Sequence, residues 1–163
     1  MSNTMTTFSR KALITRQRRS ADCWRILVVE DAPELLELIG LVLINAGHVV
    51  LGAGTGEQGL RVARREVPDL ILLDLELPGI DGIEVLRRLR ADETLVRRPI
   101  VALTAAAMRG DRERLLAAGF SGYLAKPVRP ARLAREVETF LHAVYRGSVS
   151  DDSASRAGAS CHA

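Results

Sequence analysis

Cysteine is scarce. The chain holds two in 163 residues, Cys23 and Cys161, which form neither a metal-ligand pair nor a disulfide framework. Long apolar runs are missing as well. None approaches the roughly 18 residues that a membrane-spanning helix needs, and the first residues lack the uninterrupted apolar stretch of a secretory signal. These absences exclude a helical membrane span and a disulfide-stapled scaffold, and they fit a reducing, cytoplasmic setting. The length allows one domain with a real core and is too short for two ordinary ones, and no internal repeat is visible.

Positive charge is in excess, with a formal net charge of +3, and it is unevenly placed. Residues 1–24 carry Arg10, Lys11, Arg16, Arg18 and Arg19 against Asp22 alone. Residues 25–146 hold 17 basic and 17 acidic side chains, and the stretch 147–163 sets Asp151 and Asp152 against Arg156. The basicity belongs to an N-terminal arm, which is expected to be solvated and disordered. The neutral middle gives no reason to expect direct DNA recognition. The closing segment, GSVSDDSASRAGASCHA, is small and polar, and it too is expected to be a disordered tail.

From Arg25 onward, short β-branched runs alternate with helical patterns: RILVV, PELLELIGLVLINAG, HVVLGA, EQGLRVARRE, DLILLD, IEVLRRLRAD, PIVAL, RGDRERLLAAG, GYLA and PARLAREVETFLHAVY. Five strands interleaved with five amphipathic helices indicate βαβ units, hence a parallel sheet covered on both faces. Gly47 and Gly119 sit where helices should end, while Pro33 and Pro130 sit where a first turn tolerates a missing N–H. The last helix is expected to end near Arg146.

An open parallel sheet binds ligands beyond the carboxyl ends of its strands. There the first strand delivers Glu30 and Asp31, the third Asp74, the fourth Thr104, and the fifth Lys126 followed by Pro127. Each has an ordinary reading alone: Asp31 as a helix cap, Asp74 and Thr104 as turn formers, Lys126 as a solvated charge. Together they mean more. Three carboxylates converging on one crevice repel one another unless protons or a cation offset the charge. Hard oxygen ligands with positions left for water and a phosphate oxygen suit Mg²⁺.

The acid pair after the first strand, LLDLELPGIDG after the third, LTA after the fourth and GYLAKP around the fifth resemble the receiver domain of bacterial two-component response regulators, over residues 25 to about 146. The resemblance implies a flavodoxin-like fold of strand order 2-1-3-4-5 with helices on both faces. It implies that Asp74 accepts a phosphoryl group from a phosphohistidine on a sensor histidine kinase or histidine phosphotransfer protein. Asp31 and Asp74 would hold Mg²⁺ through their side chains and Glu76 through its backbone carbonyl, with Glu30 in support. Lys126 would pair with the phosphoryl group, and its bond to Pro127 is expected to be cis. Thr104 and Tyr123 would form the switch, and the face made by the fourth helix, fifth strand and fifth helix would bind a downstream protein. Chemotaxis-type and DivK-type single-domain receivers are similar, and AAAMRGDRERLLAAGFSGYLAKP also resembles receivers attached to hybrid histidine kinases. Such a protein would catalyse its own phosphorylation and slow dephosphorylation without being a turnover enzyme. Glu76 and Ala106 occupy positions that in this family flank the path of an attacking water.

Two rivals use the same residues differently. GTGEQG, with Gly54, Gly56 and Gly59, is a formal G-x-G-x-x-G between a strand and a helix, with Asp74 about 20 residues on, as a dinucleotide fingerprint requires. It leaves Glu30, Asp31, Thr104 and Lys126 without duties. A phosphohydrolase with an aspartate nucleophile would show a second Asp two residues after the first, where this chain has Glu76, and Thr or Val two further on, where it has Pro78.

Overall fold

The computed structural model describes residues 23–105 and 110–145. The apolar runs form strands β1 (Arg25–Val29), β2 (Val49–Ala53), β3 (Leu70–Asp74), β4 (Ile100–Thr104) and β5 (Gly122–Ala125). Between and after them lie helices α1 (Pro33–Asn45), α2 (Gly56–Glu66), α3 (Gly82–Arg90), α4 (Asp111–Ala118) and α5 (Pro130–Tyr145). All pairings are parallel, in the order β2-β1-β3-β4-β5. This is the parallel sheet expected from the alternating pattern, in the flavodoxin-like order that the family resemblance implies.

Side-chain alternation along each strand splits the core in two. Leu27, Val29, Ile71, Leu73, Ile100 and Ala102 face the layer of α2, α3 and α4. Ile26, Val28, Leu70, Leu72, Val101 and Leu103 face α1 and α5. The three inner strands are therefore apolar on both faces, which is why their sequence shows continuous runs rather than alternation.

Helix ends follow local chemistry. Pro33 occupies the first turn of α1, and Gly47, at φ 99°, turns the chain after it. Thr55 and Asp81 cap α2 and α3 through side-chain oxygens that accept from the N–H of Gln58 and Glu84. The helices differ in how firmly they are held. α1 buries Leu36, Ile39, Gly40 and Leu43, and α5 buries Leu133, Val137 and Leu141. α4 buries Leu115 alone, so apolar burial holds it by about 1.5–3 kcal/mol, the worth of one such side chain.

Trp24, expected at the end of the disordered arm, belongs to the fold instead. It is buried, its carbonyl accepts from the N–H of Val49, and its ring stacks on Tyr145 at 4.9 Å. The Tyr145 hydroxyl donates to the Asp69 carbonyl at 3.1 Å and accepts from Arg98 at 2.7 Å. An aromatic that can stack on the last helix buries more area there than solvent contact would allow. Cys23, just before Trp24, is exposed, and residues 1–22 of the arm, Arg146 and the tail with Cys161 lie outside the described residues.

Gly82 opens α3 directly behind β3. A Cβ there would lie 2.4 Å from the Asp74 carbonyl oxygen and 2.7 Å from Leu75 Cα, both backbone atoms that cannot step aside. Gly82→Ala is expected to lower stability by about 1–3 kcal/mol, measured as a shift of the urea midpoint; an unchanged midpoint would show that α3 is free to back away.

Candidate functional site

The main-chain ladder runs one step past the strands and fixes the residues that follow them. The Glu30 N–H donates to the Ala53 carbonyl at 2.9 Å, and the Lys126 N–H to the Thr104 carbonyl at 2.8 Å. Glu30, Asp74, Thr104 and Lys126 thus stand at one edge of the sheet on backbone that is already paired. The Lys126-Pro127 bond is cis, as expected.

Side chains close the arrangement. The Lys126 ammonium lies 2.7 Å from Asp74 Oδ2 and 2.8 Å from Glu30 Oε2. Asp74 Oδ1 accepts from the Glu76 N–H at 3.0 Å, and Glu30 Oε1 from the Ala32 N–H at 3.1 Å. Carboxylate oxygens of Glu30, Asp31 and Asp74 fall within 4.8 Å of one another, with Glu30 and Asp74 buried and Asp31 exposed. Asp31 does not cap α1. The capping position belongs to Ala32, which has no side-chain hydrogen bond to offer, and this leaves the Asp31 carboxylate to the crevice.

Burial is the main force on Glu30 and pushes its pKa up; the neighbouring Asp74 charge adds to the rise, while bonds from Lys126 and the Ala32 N–H oppose it. On Lys126 burial acts to lower the pKa, yet hydrogen bonds and charge from Asp74 and Glu30 outweigh it and the net shift is upward. The ammonium form is therefore secure, and the carboxylate beside it is the expensive partner. Three carboxylates against one ammonium leave an excess of negative charge, and Asp31 gives a cation a route in from solvent. The donor set is all oxygen and partly open, which suits a hard divalent ion.

A carboxylate at the end of a strand, followed by a Pro/Gly loop, is expected to reach solvent, but Asp74 is only 2% exposed. Its Oδ2 meets the Lys126 ammonium rather than water. Thr104 is buried at the end of β4. Tyr123 is half-buried against the α2–α4 side of the core. Tyr123 pairs with Ala102, two residues before Thr104, so register puts the two side chains on one face of the sheet. Glu76 is exposed. Ala106 lies outside the described residues. The sequence also held a signal not used above: of its 23 basic residues only two are lysines, and Lys126 is the one inside the fold.

Residues 26–138 match the sequence profile of the response regulator receiver domain. This chain belongs to that family. The polar-differentiation response regulator DivK of Brucella ovis is 34% identical over 116 residues, covering 71% of this chain and 94% of that protein. Among solved structures, the receiver domain of a Pseudomonas aeruginosa sensor histidine kinase, with a magnesium ion coordinated in its active site cleft, is 42% identical with a TM-score of 0.67. That match covers 74% of this chain and 98% of the other. The chemotaxis response regulator CheY4 of Vibrio cholerae is 25% identical at a TM-score of 0.70, covering 73% and 99%. The receiver is a signalling module rather than a turnover enzyme, and among its described residues no helix is long and apolar enough to cross a membrane.

The receiver geometry also explains away the glycine motif. The Gly54 N–H donates to Gln58 Oε1 and the Gln58 N–H to Thr55 Oγ1, so these donors are already engaged. A Cβ on Gly56 would lie 2.7 Å from Ile80 and Val85 side chains, and one on Gly59 2.8 Å from Val29. These glycines let α2 approach the sheet and α3, with no phosphate cradle between. Lys126→Met is expected to destabilise the receiver by about 1–3 kcal/mol in EDTA, since it leaves two buried carboxylates without their cation. Urea unfolding at neutral pH checks this, and an unchanged midpoint would mean the bridge contributes nothing to stability.

Proposed function

We propose that this receiver is a phosphoacceptor switch in which Asp74 takes a phosphoryl group from a phosphohistidine on a sensor histidine kinase or a histidine phosphotransfer protein. The observation that carries this reading is the Lys126 ammonium shared between Asp74 and Glu30, with a third carboxylate, Asp31, alongside. Such a site seeks further positive charge and presents one carboxylate anchored on a rigid strand.

Asp31 and Asp74 would hold Mg²⁺ by their side chains and Glu76 by its carbonyl, with Glu30 in support; bound there, the ion supplies charge that offsets the transferring oxygens. An oxygen of Asp74 forms the new bond to phosphorus as the bond from phosphorus to the donor imidazole nitrogen breaks, and that nitrogen keeps the electron pair. Lys126 starts on Asp74 Oδ2 and follows the negative charge onto a phosphoryl oxygen, uncovering the carboxylate as the donor arrives. Thr104 then donates its hydroxyl to a second phosphoryl oxygen. Tyr123, on the same face one strand over, turns inward into the space this vacates. The surface of α4, β5 and α5 changes with it and is the binding face for a downstream protein. The basic arm and the polar tail flank this module at either end, and its setting is the cytoplasm.

The test is incubation with Mg²⁺ and acetyl phosphate, followed by intact mass. Wild type is expected to gain one phosphoryl group, and Asp74→Ala or EDTA to abolish the gain. Thr104→Ala is expected to retain the gain but to lose the accompanying change in the Tyr123 ring resonances. Unmodified wild type under conditions that label another receiver would defeat the proposal.

A further inference from the structure

The last turn of α3 carries Arg87, Arg88 and Arg90, and they do different things. Arg87 and Arg88 pair with Glu84 on the helix surface. Arg90 instead turns its guanidinium onto backbone. Nε and Nη2 donate to the Gly119 carbonyl at 3.1 and 2.8 Å, and Nη1 donates to the carbonyls of Val96 and Arg98 at 2.9 and 2.8 Å. Gly119 ends α4 at φ 109°, a conformation that favours glycine. Carbonyls at the end of a helix lack partners within it, and the planar fork of one arginine ties this one to the segment that leads into β4. The same end is held by the Phe120 N–H on the Leu115 carbonyl at 3.1 Å, with Phe120 itself buried.

The amino end of α4 is held differently. Its capping residue is Gly110, which supplies no side-chain hydrogen bond. Among the described residues its first turn carries an ion pair, Arg114 to Asp111, 3.9 Å long with Arg114 85% exposed. Alongside the helix runs an open cleft of about 330 Å³, with Leu75, Ile83 and Thr104 on one side and Asp111, Arg114 and Leu115 of α4 on the other. A helix bordering such a cleft, with Leu115 its one buried side chain, can shift at this end while displacing few close-packed atoms.

We infer that Arg90 is a positioning residue, the pivot about which α4 turns: it clamps the carboxyl end of the helix through Gly119, while the amino end, beside the cleft at Thr104, is the end that swings. What drives the swing rests on the phosphoacceptor reading; the clamp does not.

Hydrogen exchange by NMR tests both parts on the full chain. In wild type the Arg114 and Leu115 amides are expected to exchange about tenfold faster than those of Gly119 and Phe120. Beryllofluoride with Mg²⁺ is expected to move the Arg114 and Leu115 resonances more than those of Gly119 and Phe120. Arg90→Met is expected to cut protection at Gly119 and Phe120 about tenfold, with a smaller change in β1 and β3. It should still bind beryllofluoride, with the shifts at Arg114 and Leu115 reduced by about half or more. Arg90→Lys, which keeps the charge but not the fork, should lose most of the same protection. A merely structural arginine would lower protection by one factor everywhere and leave the shift pattern of α4 as it was. Uniform protection along wild-type α4, or unchanged protection at its carboxyl end in Arg90→Lys, overturns the pivot whether or not Arg90→Met folds. A wild type that ignores beryllofluoride sinks the phosphoacceptor reading, and the exchange gradient still judges the clamp.

Discussion

The Lys126 ammonium, 2.7 Å from Asp74 and 2.8 Å from Glu30, is what allows two carboxylates to stand side by side beneath the surface. Without it each would face the desolvation of a charge and the field of a like neighbour. The choice of lysine is itself informative. The chain otherwise meets its need for positive charge almost wholly with arginine, and at this one place inside the fold it uses a compact, tetrahedral donor. A guanidinium fork would fasten bidentately to one carboxylate; a point charge can be shared between two and can leave either when a stronger anion arrives. The geometry that stabilises the resting fold is therefore also the one that makes Asp74 conditionally available.

Much of this was legible in the sequence because the sheet is buried on both faces. Continuous apolar runs in β1, β3 and β4 mark strands of a parallel sheet, and the polar residues at their carboxyl ends then fall on a single edge; the strand order came from the family resemblance. The acids and the lysine were found as a conjunction, each being ordinary alone. What stayed hidden depended on directions that a sequence does not record. Asp74 reads as a group at the surface, yet is buried, and its cation partner comes from a residue 52 positions away. Asp31 reads as a cap, and the helix begins one residue later with Ala32 in that place. Trp24 looks like part of the arm until α5 supplies the ring it stacks on. Val67 ends α2 at φ 44°, a left-handed turn that a β-branched residue rarely adopts and that nothing local announces. Arg90 is one arginine among several in LRRLR, and only the fold brings the Gly119 carbonyl to it.

The two helical layers are not equivalent, and the difference bears on where a change at Asp74 can go. On one side α1 and α5 bury seven residues between them, and the Trp24–Tyr145 stack with the Asp69 and Arg98 bonds closes the far end. That layer resists distortion as any close-packed interior does. On the other side α2 and α3 bury four residues each, while α4 offers one buried leucine and borders an open cleft. Register places Thr104 and Tyr123 toward this second side. A perturbation at the common edge meets stiff packing in one direction and a lightly held helix in the other. Because displacement follows the smaller restoring force, a change of charge at the centre of the sheet would act on α4 before it acted on α1 or α5.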